Sequence, residues 1–349
     1  MRQILIHCGL HKTGTTTIQI TLAEQYSQLR SLGFLFPIAG RIDHLSGQHN
    51  IAWQIARDRR FTRERGDIDA LFEEIQAFDG DVIVSTEDLE NSVSRTERFL
   101  PIVRRARSDG RSVKFIVYIR NQVSYLESLY QEMLKYGYGD EYADFAGTAL
   151  THGSVRLKEW EFQFNYWNLA MSLLRLQGCQ TVFRNYEAML EGSPIVDFYT
   201  TAGIPNSALP SSVHSRANVR YPAKISLMQF YGNRIERELD SHEMAAIDQL
   251  IGLFTEPIAT TGALRRHLEQ RFAYSNKRVC DHFGISSTGL IPEGDAAPSV
   301  PVRISMQKMF SFETQNAIRE IALMRARDHT DSAQVLAQQC VDAWRDFDR

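Results

Sequence analysis

The run Ile4-Leu5-Ile6-His7-Cys8-Gly9-Leu10-His11-Lys12-Thr13-Gly14-Thr15-Thr16-Thr17-Ile18 constrains the fold more than any other stretch of the chain. Ile4, Leu5 and Ile6 read as a short buried parallel strand. The strand breaks into a loop carrying Gly9 and Gly14, and Ile18, Leu22 and Leu29 then recur near helical spacing. Strand, glycine loop and helix in that order cradle an anion. The loop amides and the first unbonded N–H groups of the helix point at it, and the helix dipole favours its charge.

Gly9 and Gly14 have the G-x-x-x-x-G spacing of the Walker A loop, but Thr15-Thr16 stands where G-K-[ST] is expected. The lysine lies inside the loop, at Lys12, so it does not follow the second glycine as it does where it reaches the β- and γ-phosphates of ATP. The plain structural alternative is a tight strand-to-helix turn with a surface lysine and a threonine N-cap.

Composition narrows the partners. Across 349 residues the formal net charge is −3, which does not fit a chain that coats nucleic acid, so any anion site must be local. Arg2 is the single basic residue before Leu10, which predicts no signal peptide. No apolar run approaches the roughly 18 residues of a membrane span. Cys8, Cys179, Cys280 and Cys340 form no C-x-x-C pair, which predicts a reduced, cytoplasmic setting and no structural zinc. His44 and His49 are spaced wrongly for a helical metal pair, and no third ligand accompanies them.

Further along, strands are expected at residues 33–37, 81–86, 113–120 and 180–184. Helices are expected near 51–57, 67–78, 96–108, 122–135 and 155–176, and again towards Ala202. This alternation predicts an α/β, three-layer fold of the P-loop type with a central parallel sheet and a helical C-terminal part. Residues 1–205 would form the core, and 206–349 a mainly helical extension packed on it. Ligands in such sheets bind outside the carboxyl ends of the strands, which directs attention to Gly9, Glu87 and Arg120.

Arg120 ends the most apolar strand, and Ser124 and Ser128 follow it at helical spacing, so both hydroxyls face one way. A planar guanidinium with a nearby hydroxyl suits a terminal phosphate monoester, although an arginine salt-bridged to a carboxylate would look the same.

Taken together, His11-Lys12-Thr13-Gly14-Thr15-Thr16-Thr17 resembles the 5′-phosphosulfate loop of sulfotransferases, and Arg120 with Ser128 is similar to that family's 3′-phosphate motif. Ser85-Thr86-Glu87 ends a strand between the two motifs, where the family often keeps its general base. Trp160 to Trp167, Phe183-Arg184-Asn185-Tyr186-Glu187, Asp197-Phe198 and Gly203-Ile204 resemble a later landmark of bacterial members. The resemblance covers residues 1–205. It implies transfer of a sulfuryl group from 3′-phosphoadenosine 5′-phosphosulfate to the hydroxyl of a carbohydrate or other small molecule.

On that reading His11, Lys12, Thr13, Gly14, Thr15, Thr16, Thr17, Arg120 and Ser128 hold the donor, and Arg278 closes over it from the C-terminal part. Lys12 neutralises the leaving phosphate, Glu87 is the first choice of general base and His49 the second. No metal is required, because a sulfuryl group carries less charge than a γ-phosphate. Thr17 replaces the aromatic found after the threonine pair in many small-molecule enzymes, which points to the bacterial, carbohydrate-type branch. The competing expectations are a P-loop ATP-dependent small-molecule kinase and a nucleotide-binding module without catalysis.

Overall fold

The computed structural model describes residues 2–42, 46–140, 142–158, 160–189, 192–209, 260 and 262–291. His44 and most of the expected helical extension therefore lie outside the described residues. The chain divides into two compact units. The first holds the described residues of Met1–Gln122, Gly153–Asn218 and Glu269–Ala296; the second holds those of Val123–His152 and Val219–Leu268.

A five-stranded parallel sheet runs through the first unit, flanked by helices, as the α/β reading expects. Its strands are β1 (Gln3–His7), β2 (Phe34–Leu35), β3 (Asp81–Ser85), β4 (Ser112–Ile119) and the strand Cys179–Asn185. The spatial order is β2, β3, β1, β4 and then Cys179–Asn185. β1 is central: Leu5 pairs with Ile83 on one side and Lys114 on the other, and His7 with Ser85 and Ile116. The chain fills one side of β1 with β2 and β3 and then crosses to β4 on the other. In open α/β sheets, ligands bind where the strand order reverses in this way, which here is at the carboxyl end of β1.

Each sheet face has its own apolar layer, because alternate strand residues point to opposite faces. On one face Leu5, Ile83, Ile116 and Tyr118 pack with Ile18 and Leu22 of helix α1 (Thr15–Glu24) and with Phe198. Ile4, Ile6, Val82, Val84 and Phe115 alternate with them and are equally buried. On that side Phe99 meets Phe115 edge-on at 5.5 Å.

The next helix, α2 (Tyr26–Ser31), leads into β2, and α3 (His49–Ala56) follows. Asp67 caps α4 (Ile68–Gln76), its carboxylate accepting from Ala70 N at 2.9 Å. After β3 come α5 (Glu90–Val93) and α6 (Leu100–Ser108). Residues Thr96–Phe99, expected as part of one long helix, form a separate 3₁₀ turn.

Residues 155–163 depart from the expected helix. They form an antiparallel hairpin of β5 (Ser154–Leu157) and β6 (Trp160–Gln163), and only then does a helix, α9 (Tyr166–Leu174), begin. The local reasons are legible afterwards. Gly153 at φ 69° stops the preceding helix, and Lys158 at φ 53° makes the turn. Ser154-Val155-Arg156-Leu157 alternates polar and apolar, and Asn165 caps α9 by accepting from Asn168 N at 3.1 Å. The last sheet strand is therefore β7 (Cys179–Asn185), followed by α10 (Pro194–Ala202). Two residues of the later landmark hold this corner together: Arg184 Nε and Tyr118 Oη both donate to Asp197 Oδ1, at 2.9 and 2.7 Å.

In the second unit, α7 (Gln122–Lys135), all but its first residue, precedes α8 (Tyr142–His152). Tyr130 packs there against Tyr142 and Phe145, with ring centroids 5.1 and 5.3 Å away. The helix α11 (Gly262–Phe283, counting the described helices in order) has residues in both units.

Candidate functional site

The loop after β1 is held on both sides. Cys8 N and Leu10 N donate to Ile116 O and Tyr118 O of β4, each at 3.0 Å, and Thr86 N donates to His7 O at 3.1 Å. Inside the loop Thr13 Oγ1 donates to Leu10 O at 2.6 Å. Lys12 sits at φ 67°, a left-handed conformation that costs a residue with a Cβ of order 1 kcal/mol and persists only where its surroundings enforce it. One enforcing contact comes from the other motif: Arg120 Nη1 donates to Lys12 O at 2.7 Å.

Gly14, at φ 78°, is the N-cap of α1, and no side chain caps that helix. The threonine cap of the plain alternative is absent; Thr17 N turns back to Gly14 O at 3.1 Å, which leaves the amides of Thr15 and Thr16 for an external acceptor. A Cβ on Gly14 would stand 3.2 Å from Pro194 Cβ and 3.4 Å from Tyr186 Cε2. Gly14→Ala is therefore expected to lower unfolding stability by about 1–2 kcal/mol in a urea titration.

Arg120 adds a buried donor. Its guanidinium lies over the Tyr186 ring at 5.1 Å, and its Nε has no hydrogen-bond partner. The carboxylate oxygen Glu187 Oε1 is 3.8 Å from that nitrogen. A buried N–H of a cation left without a hydrogen bond is costly, and it fits an anionic ligand at the same strand ends as Lys12.

The other side of the loop is acidic and histidine-rich. Beyond β3, Thr86 caps a 3₁₀ turn (Glu87–Leu89) that throws Asp88 and Glu90 back towards the loop and α3. Asp88 receives three groups: Trp53 Nε1 at 2.6 Å, His49 Nδ1 at 3.2 Å and His11 Nε2 at 3.4 Å. His11 Nδ1 meets Glu90 Oε2 at 2.9 Å. Burial alone would lower His11, but its hydrogen bonds to Asp88 and Glu90, with their charges, outweigh that and push it up to about 10. His49 moves the same way: burial is overcome by Asp88 and by the charge of Glu87. Burial raises Asp88, yet the two imidazoles hold it far below the usual carboxylate range.

His49 Nε2 is buried without a partner, and the side chain is only 4% exposed. Glu87 is held differently: Gln19 Nε2 of α1 donates to its Oε2 at 2.7 Å. By contrast His7, beside Ser85 Oγ at 2.8 Å, is pushed down to about 3 by burial and stays neutral.

The expected site residues thus fall into groups. His11, Lys12, Thr13, Gly14, Thr15, Thr16, Thr17, His49, Glu87 and Arg120 surround the carboxyl ends of β1, β3 and β4. Ser128 belongs to the second unit, where its Oγ donates to Ser124 O at 2.8 Å. Arg278 lies on α11, with its guanidinium over Trp167 at 4.4 Å and Nη1 donating to Tyr274 Oη at 2.9 Å. Asp88, Glu90, Gln19 and Trp53 carry no role in the sequence reading, and Tyr186 enters it only within the later landmark. Their roles depend on the turn after β3 and on which helix faces it.

Among the described residues no group of three or more His, Cys, Asp or Glu side chains is placed to hold a metal ion. No described helix is long and apolar enough to cross a membrane. Comparison with protein-family models and with curated proteins gives no match.

Proposed function

We propose that the chain is a sulfotransferase of P-loop type that moves a sulfuryl group from 3′-phosphoadenosine 5′-phosphosulfate to an acceptor hydroxyl. The observation that carries this reading is the bond between Arg120 and the carbonyl of Lys12. It ties two anion-binding stretches, 108 residues apart in sequence, into one end of the sheet. The donor has two separated anionic ends, and the residues offer two kinds of partner. The uncapped N-terminus of α1 with Lys12 and the threonines suits the 5′-phosphosulfate; the unbonded Nε of Arg120 suits the 3′-phosphate.

In an in-line transfer the acceptor oxygen forms a bond to sulfur as the bond from sulfur to the 5′-phosphate oxygen breaks. Positioning and charge stabilisation, not covalent catalysis, are the protein's part in such a step. Lys12 meets the charge that grows on the departing phosphate. Glu87 takes the acceptor proton. Its Oε2 is anchored by Gln19, whereas Oε1 makes no hydrogen bond among the described residues. His49, drawn towards its protonated form, is better suited to donate through Nε2 than to accept, so it orients and polarises instead of serving as base.

Calorimetric and thermal-shift titrations with 3′,5′-phosphoadenosine test the reading. The bisphosphate is expected to bind without added metal and, at about one hundred times its dissociation constant, to stabilise the fold by about 2.7 kcal/mol. Arg120→Ala should abolish that shift. A preference for ATP with Mg²⁺ would favour the kinase instead, and tight bisphosphate binding with no desulfation of the donor would favour a module without catalysis.

A further inference from the structure

A cavity of about 140 Å³, with Asp88 in its lining, opens within the first unit. It is many times larger than the space one water needs. α3 supplies Trp53 as one wall, and the unexpected β5–β6 hairpin supplies Arg156, Lys158 and Trp160 as the other. Asp58, Arg60, Asp88, Arg95, Arg98 and Glu161 complete its charged lining.

The charge balance of this lining runs against that of the chain. The protein as a whole carries a formal −3, yet the cavity gathers five cations against three carboxylates. Each carboxylate is already engaged. Asp58 accepts from Arg60 Nη2 at 2.6 Å, Glu161 from Arg156 Nη2 at 3.1 Å, and Asp88 from the histidines and Trp53. Arg95, Arg98 and Lys158 are left over: among the described residues no carboxylate stands within 4.0 Å of any of them.

Arg98 Nη1 spends one donor on Ala56 O at 2.8 Å. Burial, followed by the positive charges of Arg95 and Arg57, pushes its guanidinium below the ordinary value. Like charges crowded into a partly enclosed space favour an anion between them. Arg60, stacked between Trp53 and Trp160 at 4.4 and 4.8 Å, keeps the two walls fixed.

We propose that this cavity is the acceptor subsite and that it selects an acceptor bearing its own negative group, a carboxylate or a phosphate, which Arg95, Arg98 and Lys158 receive. The inference rests on the sulfotransferase reading for what is done to the acceptor, but not for its charge. The same Asp88 that lines the cavity holds His49 by Nδ1, so one carboxylate joins the cavity to the imidazole whose Nε2 has no partner. The anion fixes one end, and a hydroxyl elsewhere on the molecule is the end that reacts.

The test compares matched sugars by calorimetry at low salt. Glucuronate is set against glucose, and N-acetylglucosamine 6-phosphate against N-acetylglucosamine, with wild type and the triple variant R95A/R98A/K158A. At least one charged sugar is expected to bind at least about tenfold more tightly than its neutral partner, the gain of one charge-assisted contact, and to weaken as salt rises. The comparison between the two pairs tells carboxylate from phosphate. The triple variant should lose the preference while it still unfolds cooperatively and keeps its affinity for 3′,5′-phosphoadenosine.

Equal binding of charged and neutral sugars, no binding of either charged sugar, or a preference that survives the triple variant would overturn the proposal. If the charged sugar binds through these three residues but 3′,5′-phosphoadenosine does not bind at all, the anion subsite stands and the sulfotransferase reading falls.

Discussion

Lys12→Ala is expected to slow desulfation of 3′-phosphoadenosine 5′-phosphosulfate by about 10²–10³-fold, the usual loss when one preorganised group facing developing charge is removed. The expectation follows from the loop's backbone as much as from the charge. Lys12 occupies a left-handed conformation at φ 67°, where a glycine would sit without strain. A Cβ-bearing residue is held there with its carbonyl fixed by Arg120, a strained position that the proposed role at the leaving phosphate would justify.

Two further variants separate these effects. Lys12→Arg keeps the charge and should retain more turnover than Lys12→Ala. Lys12→Gly should match Lys12→Ala in lost turnover yet unfold at higher urea, by about 1 kcal/mol, because the left-handed strain is relieved. Single-turnover assays with and without saturating donor distinguish slower chemistry from weaker binding. Turnover of Lys12→Ala within twofold of wild type would remove the lysine from the reaction.

Why the loop could be read from sequence and its surroundings could not has a physical reason. Gly9, Lys12 and Gly14 are close neighbours in the chain, and strand, turn and helix are each dictated by local periodicity and glycine placement. Arg120 was legible because a long apolar strand ends at it. Asp88 was not, because its importance comes from three partners contributed by the β1 loop and α3, 77, 39 and 35 residues away. The hairpin Ser154–Gln163 replaces the start of the expected helix, although Val155 and Leu157, two residues apart, share a face of a strand and not of a helix. The hairpin's turn is made by Lys158 in the left-handed region, and a lysine at positive φ carries no sequence signal. The cationic cavity takes one wall from that hairpin, so it is no more legible in the sequence than the hairpin itself. Ser128 joins Arg120 through the family resemblance alone, and it belongs to the second unit.

The second large effect is expected at Asp88. Asp88→Asn removes one negative charge from a hub that faces two imidazoles and an indole N–H, and breaking a buried ion pair from one side costs about 3–5 kcal/mol. The pH dependence separates this from a simple packing defect. His11 is held at about 10 when folded, above its value of 6.5 when unfolded, so its contribution is complete below pH 6.5 and is lost as pH rises towards 10. Asp88 is depressed when folded, so its contribution is present above its unfolded value of 3.8 and is lost as pH falls below it.

In Asp88→Asn, Glu90 still holds His11, so the alkaline decline should flatten without vanishing, and the step near pH 4 should shrink. His7 is the internal control. Depressed to about 3 by burial, it stabilises the fold above pH 6.5 and weakens it as pH falls from there towards 3, and this limb should be the same in both proteins. Urea unfolding from pH 3 to 10 measures all three. If Asp88→Asn shifts the whole stability curve down in parallel, with the alkaline slope unchanged, Asp88 is not the group that keeps His11 charged, and the electrostatic account of this side of the loop fails.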